Sequence, residues 1–209
     1  MSNEIEQQVA VEGAVPVEPD GEEFARRFKN GEDGAFDGLV RAFQSRMYNL
    51  AYRLLHSHED ADEATQEIFV KVHGAIGDFE GRSKFTTWLY AVGLNICRNK
   101  LRQTKRRALF EVRSLDDPPE SGPPPPEAST PRRESPPAQM ERAELMRLVH
   151  DSIAELPAEF AEAVILRDLQ GMSYEDVAVA IGCSIGTVKS RIARGREAVK
   201  ERLRPHLKC

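Results

Sequence analysis

SYEDVAVAIGCSIGTVKSRIARGREAVKERLR, residues 173–204, decides the fold. Ser173 stands just before an apolar-periodic run and is followed three residues later by the acid Asp176, a pattern that opens a helix. Val177, Ala178 and Ile181 form the buried stripe of a short first helix, and small Ala178 permits a close crossing. Gly182 supplies a turn in which positive φ is needed. Ser184 is placed to cap a second helix, anchored by Val188 and Ile192 four residues apart. The spacing predicts a helix-turn-helix. Thr187, Lys189, Ser190, Arg191, Arg194 and Arg196 are left on outward or flanking faces. Arginine reads guanine bidentately, lysine holds phosphate and hydroxyls adapt, so the second helix suits the major groove of duplex DNA. The blander reading is an amphipathic helix with a solvated basic face. The capped first helix, the glycine turn and the paired anchors weigh against it.

A basic helix is unexpected in a 209-residue chain of formal net charge -5. The average conceals segregation. Residues 1–23 hold seven acids and no Lys or Arg, whereas residues 81–113 hold nine Lys/Arg against one acid, Glu111. Residues 173–209 hold eight Lys/Arg against four acids, so two local fields, not the net charge, govern attraction to a polyanion. No apolar run approaches the ~18–20 residues that cross a bilayer, and the acidic N-terminal stretch lacks the pattern of a secretory signal. Cys97, Cys183 and Cys209 lie far apart without CxxC spacing, which speaks against zinc or disulfides and fits a reducing cytoplasm.

Apart from its ends and middle, the chain reads as helix. Phe24 and Phe28 pair across a turn before Asn30-Gly31. Phe36, Leu39, Val40, Phe43, Met47, Leu50, Ala51 and Leu54 make a long helical stripe, with Asp33 as the expected N-cap. Ser57-His-Glu-Asp60 opens a third helix that turns Ala61, Ala64, Ile68, Phe69 and Val72 inward. After a break from Gly74 to Gly81, a fourth helix begins near Lys84 and buries Phe85, Trp88, Leu89, Val92 and Ile96. Residues 114–137 contain nine of the 13 prolines and predict a linker with extended stretches. At ~3.1 Å per residue such a linker reaches roughly 75 Å, against about 70 Å for two turns of B-DNA. Beyond it, Leu145, Leu148, Val149 and Ile153 face inward on one helix. Pro157 enters the first turn of the next, which carries Phe160, Val164, Ile165 and Leu169 and stops at Gly171. The expected fold is all-α. Its parts are an acidic disordered tail (1–21), a helical domain (22–107), a linker (108–138) and a helix-turn-helix domain (139–209).

The second basic zone, FEGRSKFTTWLYAVGLNICRNKLRQTKRR (79–107), joins aromatic residues to cations. Exposed bases stack on aromatics while cations follow the backbone, so the combination suits single-stranded nucleic acid. Asn95 and Asn99, four apart, are placed to hydrogen-bond an extruded base. Phe85 and Trp88 share the apolar stripe and read as core, whereas Tyr90 stands off it.

FEGRSKFTTWLYAVGLNICRNKLR resembles the promoter-melting, −10-reading segment of bacterial sigma factors, in particular the extracytoplasmic-function group. Residues 60–79, DADEATQEIFVKVHGAIGDF, resemble the helix by which that family grips the polymerase clamp, and residues 156–203 resemble its −35-reading domain. The three motifs stand in the family's order. The resemblance implies a σ2–linker–σ4 protein without the domain that larger sigma factors place between them. It implies that Asp60, Asp62, Glu63, Gln66, Glu67 and Phe69 lie at or near the clamp contact. Glu80, Gly81, Arg82, Ser83 and Lys84 would hold a flipped −10 base with Tyr90, Asn95 and Asn99. Lys189, Ser190, Arg191 and Arg194 would meet the −35 element. Core RNA polymerase and promoter DNA are the implied partners, with an anti-sigma factor as regulator.

Two other functions bear weighing. A stand-alone helix-turn-helix regulator would bind its operator tightly without polymerase, but it leaves the 79–107 segment without a purpose. An enzyme is the least favoured reading: His56, His58, His73, His150 and His206 show no HExxH or Cys/His ligand spacing, and neither GxxxxGK[ST] nor GxSxG occurs. No metal or cofactor is expected.

Overall fold

The computed structural model describes residues 20–110 and 136–206, with the backbone alone at 107–110 and 136–143. The expectations for the acidic tail over 1–19, the linker over 111–135, the Arg107 side chain and Cys209 lie outside the described residues. Every regular element among the described residues is a helix.

Helix α1 (Gly21–Lys29) is capped by Asp20, whose carboxylate accepts from the Glu23 N–H at 2.9 Å. Helix α2 (Ala35–Leu55) does not begin on an Asp33 cap. Gly34, at φ 75°, occupies the cap position and turns the chain into the helix without a side-chain bond. Its far end is closed by His56 in the left-handed region, φ 58°, with the His56 N–H donating to Tyr52 O at 2.9 Å. Helix α3 (His58–Ala75) starts as its sequence predicts, the Ser57 hydroxyl accepting from Asp60 N–H at 3.2 Å. It runs through Gly74, and the break before the next helix is the shorter span from the 3-10 turn Ile76–Asp78 to Lys84.

Helix α4 (Phe85–Phe110) has a cap that no local pattern discloses: Glu22 of α1 accepts from Phe85 N–H at 2.7 Å. Phe85 and Leu89 are fully buried and Ile96 nearly so, as the stripe predicts, while Trp88 and Val92 are only half-buried. Leu94, Cys97 and Tyr90, absent from that stripe, are buried too. The difference has a tertiary cause. α4 is packed on one side by α2 and α3 and on another by the C-terminal helices, so its covered surface is wider than one amphipathic face.

Helix α5 (Pro136–Ala154) and the end of α4 at Phe110 both extend into the span expected to be linker. Proline is accommodated at a helix start because its missing N–H would have no intrahelical partner. Ile153 of α5 is buried and Leu148 and Val149 half-buried, but Leu145, expected inward, is 39% exposed. Pro157 sits at the cap of α6 (Ala158–Val164) rather than within its first turn, and its carbonyl accepts from Phe160 and Ala161. α6 then widens into a π turn, Ile165–Leu169, before α7 (Tyr174–Ile181) and α8 (Ile185–Leu203). Their core gathers Ile165, Leu166, Val177, Val188, Ile192 and Leu203.

The two helical units are packed together, α7 on α4 and α5 on the end of α2. In this arrangement they are adjacent, not held at the two-turn separation that the linker length permits.

Candidate nucleic-acid interface

The helix-turn-helix forms as the residues predict. Ser173 Oγ accepts from Asp176 N–H at 3.0 Å and Ser184 Oγ from Thr187 N–H at 3.1 Å. Gly182 closes α7 at φ 78°, ψ 43°, donating to Ala178 O at 2.9 Å. Val188 and Ile192 are buried, which turns Lys189, Ser190, Arg194 and Arg196 to solvent and leaves Thr187 and Arg191 half-exposed. Several of these groups are already held. Arg191 Nη2 donates to Glu159 at 2.9 Å, and Arg196 binds Asp168 through two bonds of 2.6 and 3.0 Å. The Lys189 ammonium lies 5.7 Å from the Tyr174 ring centroid, and Ser190 donates to Thr187 O at 2.9 Å. The intramolecular carboxylates orient the arginine forks, and DNA phosphates would have to displace them.

The candidate −10 loop turns at Gly81, φ 70°, with Glu80 paired to Arg82 and Ser83 half-buried. Asn95 and Asn99 are exposed on α4, and Arg102 donates to Asn99 Oδ1 at 3.4 Å. Tyr90 departs from the expectation of an outward ring. It is 3% exposed, and its hydroxyl donates to Gln170 Oε1 at 2.6 Å, because the C-terminal helices cover that side of α4. Lys84 is likewise engaged, its ammonium 2.9 Å from Asp176 Oδ2. Thr87, which donates to Asp176 Oδ1 at 3.0 Å, and Arg98, which binds Glu162 at 2.7 and 2.5 Å, were not singled out in the sequence. A signal for both exists: Thr87, Asn95, Arg98 and Arg102 share one face of α4 with Ala91 between them, and Lys84 stands just before the helix in the same register.

On α3, Asp62, Glu63, Gln66 and Glu67 are exposed, Asp60 is half-buried and Phe69 is almost covered. Glu63 is paired with Lys100 at 2.9 Å and is therefore tied to α4. Beside them Phe36, Val40 and Val70 line an apolar groove, and Val70, 74% exposed, lies within the 60–79 motif but was not among the residues singled out from it. The acids and this groove form one mixed surface of the kind a protein partner covers.

Burial pushes the Cys97 thiol up to about 12, with Glu162 adding to the effect, so that sulfur is an inert core group. Among the described residues no helix is long and apolar enough to cross a membrane.

Comparison with known proteins bears on the same two regions. The family description Sigma-70 region 2 matches residues 39–107, and Sigma-70, region 4 matches residues 146–199. The chain is 36% identical over 187 residues to the RNA polymerase sigma-H factor of Pseudomonas aeruginosa, covering 90% of this chain and 95% of that one. It is 35% identical over 181 residues to the ECF RNA polymerase sigma-E factor of Escherichia coli K12, 86% of this chain and 92% of that one. Two solved structures share the fold. The sigma factor RpoE in complex with the anti-sigma factor NepR from Bartonella quintana has a TM-score of 0.64 at 24% identity, covering 82% of this chain and 98% of that one. CnrH in complex with the cytosolic domain of CnrY has 0.60 at 23%, covering 90% and 99%. With both regions matched in order and relatives aligned almost end to end, the chain belongs to the extracytoplasmic-function sigma factors of the sigma-70 family, non-enzymatic proteins that direct RNA polymerase to promoters.

Proposed function

We propose that this sigma factor divides promoter recognition between α8 and α4 and acts in the cytoplasm. In α8, Thr187, Lys189, Ser190, Arg191, Arg194 and Arg196 read the duplex −35 element and its phosphates. In the σ2 unit, the loop Glu80–Lys84 receives an unstacked −10 base, with Asn95 and Asn99 hydrogen-bonding its edge and Tyr90 contributing once uncovered. Capturing extruded bases drives melting, and since unstacking costs a few kcal/mol per base, several modest contacts must combine. Asp60, Asp62, Glu63, Gln66, Glu67 and Phe69 face the polymerase clamp, where acids complement a basic partner. The observation that carries the division is the burial of Val188 and Ile192, which leaves one basic face of α8 outward. The domain limits that serve it are 22–107 and 139–209.

An anti-sigma factor is the proposed regulator, by analogy with the relatives solved in complex with such proteins. Transcription in vitro with core polymerase on a randomised promoter library tests the scheme. The selected promoters should share two elements. Replacing Asn95 and Asn99 by Ala should change preference at the downstream element and leave the upstream one intact. Uniform loss at every downstream variant would refute base reading by these amides.

A further inference from the structure

The loop assigned to the −10 base, Glu80–Lys84, is held from outside the 79–107 segment. Its flanking residues are Phe79 and Phe85, whose rings meet edge to face at 5.5 Å and close the base of the loop. Helix α1 grips both sides of that base. Glu22 Oε1 accepts from the Phe85 N–H at 2.7 Å, and the Lys29 ammonium donates to the Phe79 carbonyl. The two side chains stand seven residues apart, about two turns or roughly 10 Å along one face of α1. Gly21 is buried against the Phe85 ring, so closely that an added Cβ would collide with it. α1 is itself fixed on the unit that carries the loop. The Phe24 ring packs on Gly38 of α2, and the Phe28 ring lies 5.8 Å from that of Phe36 and 5.3 Å from that of His73. Glu22 and Lys29 are exposed, so they add little to the core. What their bonds fix is the backbone on either side of the loop.

We propose that α1 is a brace for the −10 loop: Glu22 and Lys29 are positioning residues that preset the backbone of Glu80–Lys84 for a flipped base. Neither touches the base. The inference rests on the reading of that loop as the −10 pocket. A loop whose two ends are tied by charge-assisted bonds to one anchored helix spends less of its time in other shapes. Loosening it divides the affinity for the base that fills the pocket by the loss in correctly shaped loops. Bases that do not enter the pocket lose nothing. The brace therefore acts on discrimination between bases and not on overall attraction to DNA.

Holoenzyme assembled from the full chain and core polymerase tests this on a labelled DNA taken from a promoter that the wild type selects. The upstream element is duplex and the downstream element unpaired. Each of the four bases is placed in turn at the downstream position that the wild type discriminates best. The full chain carrying E22A and K29A keeps its net charge. Its preference for the best base over the other three should fall about fivefold or more, with affinity for the other three unchanged. The E22Q and K29R pair keeps an acceptor and a donor in place and should retain the preference. Unchanged preference in the folded E22A/K29A chain would overturn the proposal. So would an equal loss for all four bases, or the same loss of preference in E22Q/K29R. Circular dichroism checks folding; if E22A/K29A does not fold, K29A alone replaces it, since its bond goes to a carbonyl outside any helix. R82A and S83A, within the loop, separate the two ideas. If they change the preference and E22A/K29A does not, the brace alone fails. If they too leave it unchanged, the −10 reading of the loop fails and the brace with it.

Discussion

Gly195 shows how much a single hydrogen can decide. It faces α6, and a Cβ built there would lie 2.5 Å from Val164 Cγ2, a β-branched group on a helix with little freedom to retreat. Gly195→Ala should therefore lower stability by about 1–3 kcal/mol despite its better helix propensity, measured by urea denaturation. Nothing in RIARGRE marks this glycine as a contact, because the opposing side chain comes from another helix. The outward residues of α8 were legible, since Val188 and Ile192 set the helix rotation. Their carboxylate partners were not, because Glu159 and Asp168 are about thirty positions away. Replacing Arg191 and Arg194 by Ala should weaken duplex promoter binding and shallow its salt dependence, by ~0.9 in log–log slope for each phosphate left unneutralised. Binding isotherms across a salt series would give the slope.

At the scale of elements, start signals are legible in the sequence where a hydroxyl does the capping. Ser57, Ser173 and Ser184 all accept from the N–H three residues on. Ser184→Ala and Ser57→Ala should each cost about 1 kcal/mol, the former loosening α8 and the latter α3, as read by thermal melting and local hydrogen exchange. Caps made by backbone conformation or by distant residues leave no such signal. Gly34 takes the place expected of Asp33 at α2, and Glu22 crosses from α1 to cap α4. The buried face of α4 is wider than expected for a related reason. Periodicity reveals a helix with one covered side, and α4 has two. Tyr90 does stand off the apolar stripe, but another domain covers it.

The whole molecule adds a property that no element has. Tyr52 at the end of α2 is stacked between His58 at 4.4 Å and His150 of α5 at 4.9 Å, with His56 edge-on to His150 at 5.9 Å. Burial lowers the pKa of His56, with His150 adding to it, and burial followed by Arg53 lowers that of His150. Asp151 opposes both shifts, and His58 adds to the lowering at His150. The unfolded or separated chain then binds protons more readily, so stability from this cluster is complete above the ordinary histidine pKa of about 6.5 and is lost as pH falls below it. Asp176 has the same sign. Its burial favours the neutral acid, but Lys84, Ser173 and Thr87 outweigh burial and lower its pKa, so its contribution disappears in turn as pH falls through the carboxylate range. Acidification from about pH 7.5 to about pH 5.5 should lower the melting temperature and expand the chain. Replacing His56 and His150 by Gln should remove most of that difference in melting and scattering measurements.

The residues by themselves determined the helix-turn-helix, the all-α fold, the two basic zones and the family. The helix-turn-helix, the helical fold and the basic zones rest on patterns within twenty or thirty positions, where a serine hydroxyl, a left-handed glycine and an apolar period act locally. The family rests on the resemblance of three motifs standing in order. Tertiary structure alone decided which charged groups meet a partner from the other unit. Asp176 and Lys84 are ninety-two positions apart and Arg98 and Glu162 sixty-four, and no local pattern relates them. Ion pairing depends on distance in space, not along the chain, and salt screens it beyond about 10 Å, so the meeting of the two halves, and with it the occupancy of these α4 groups, had to be seen in three dimensions.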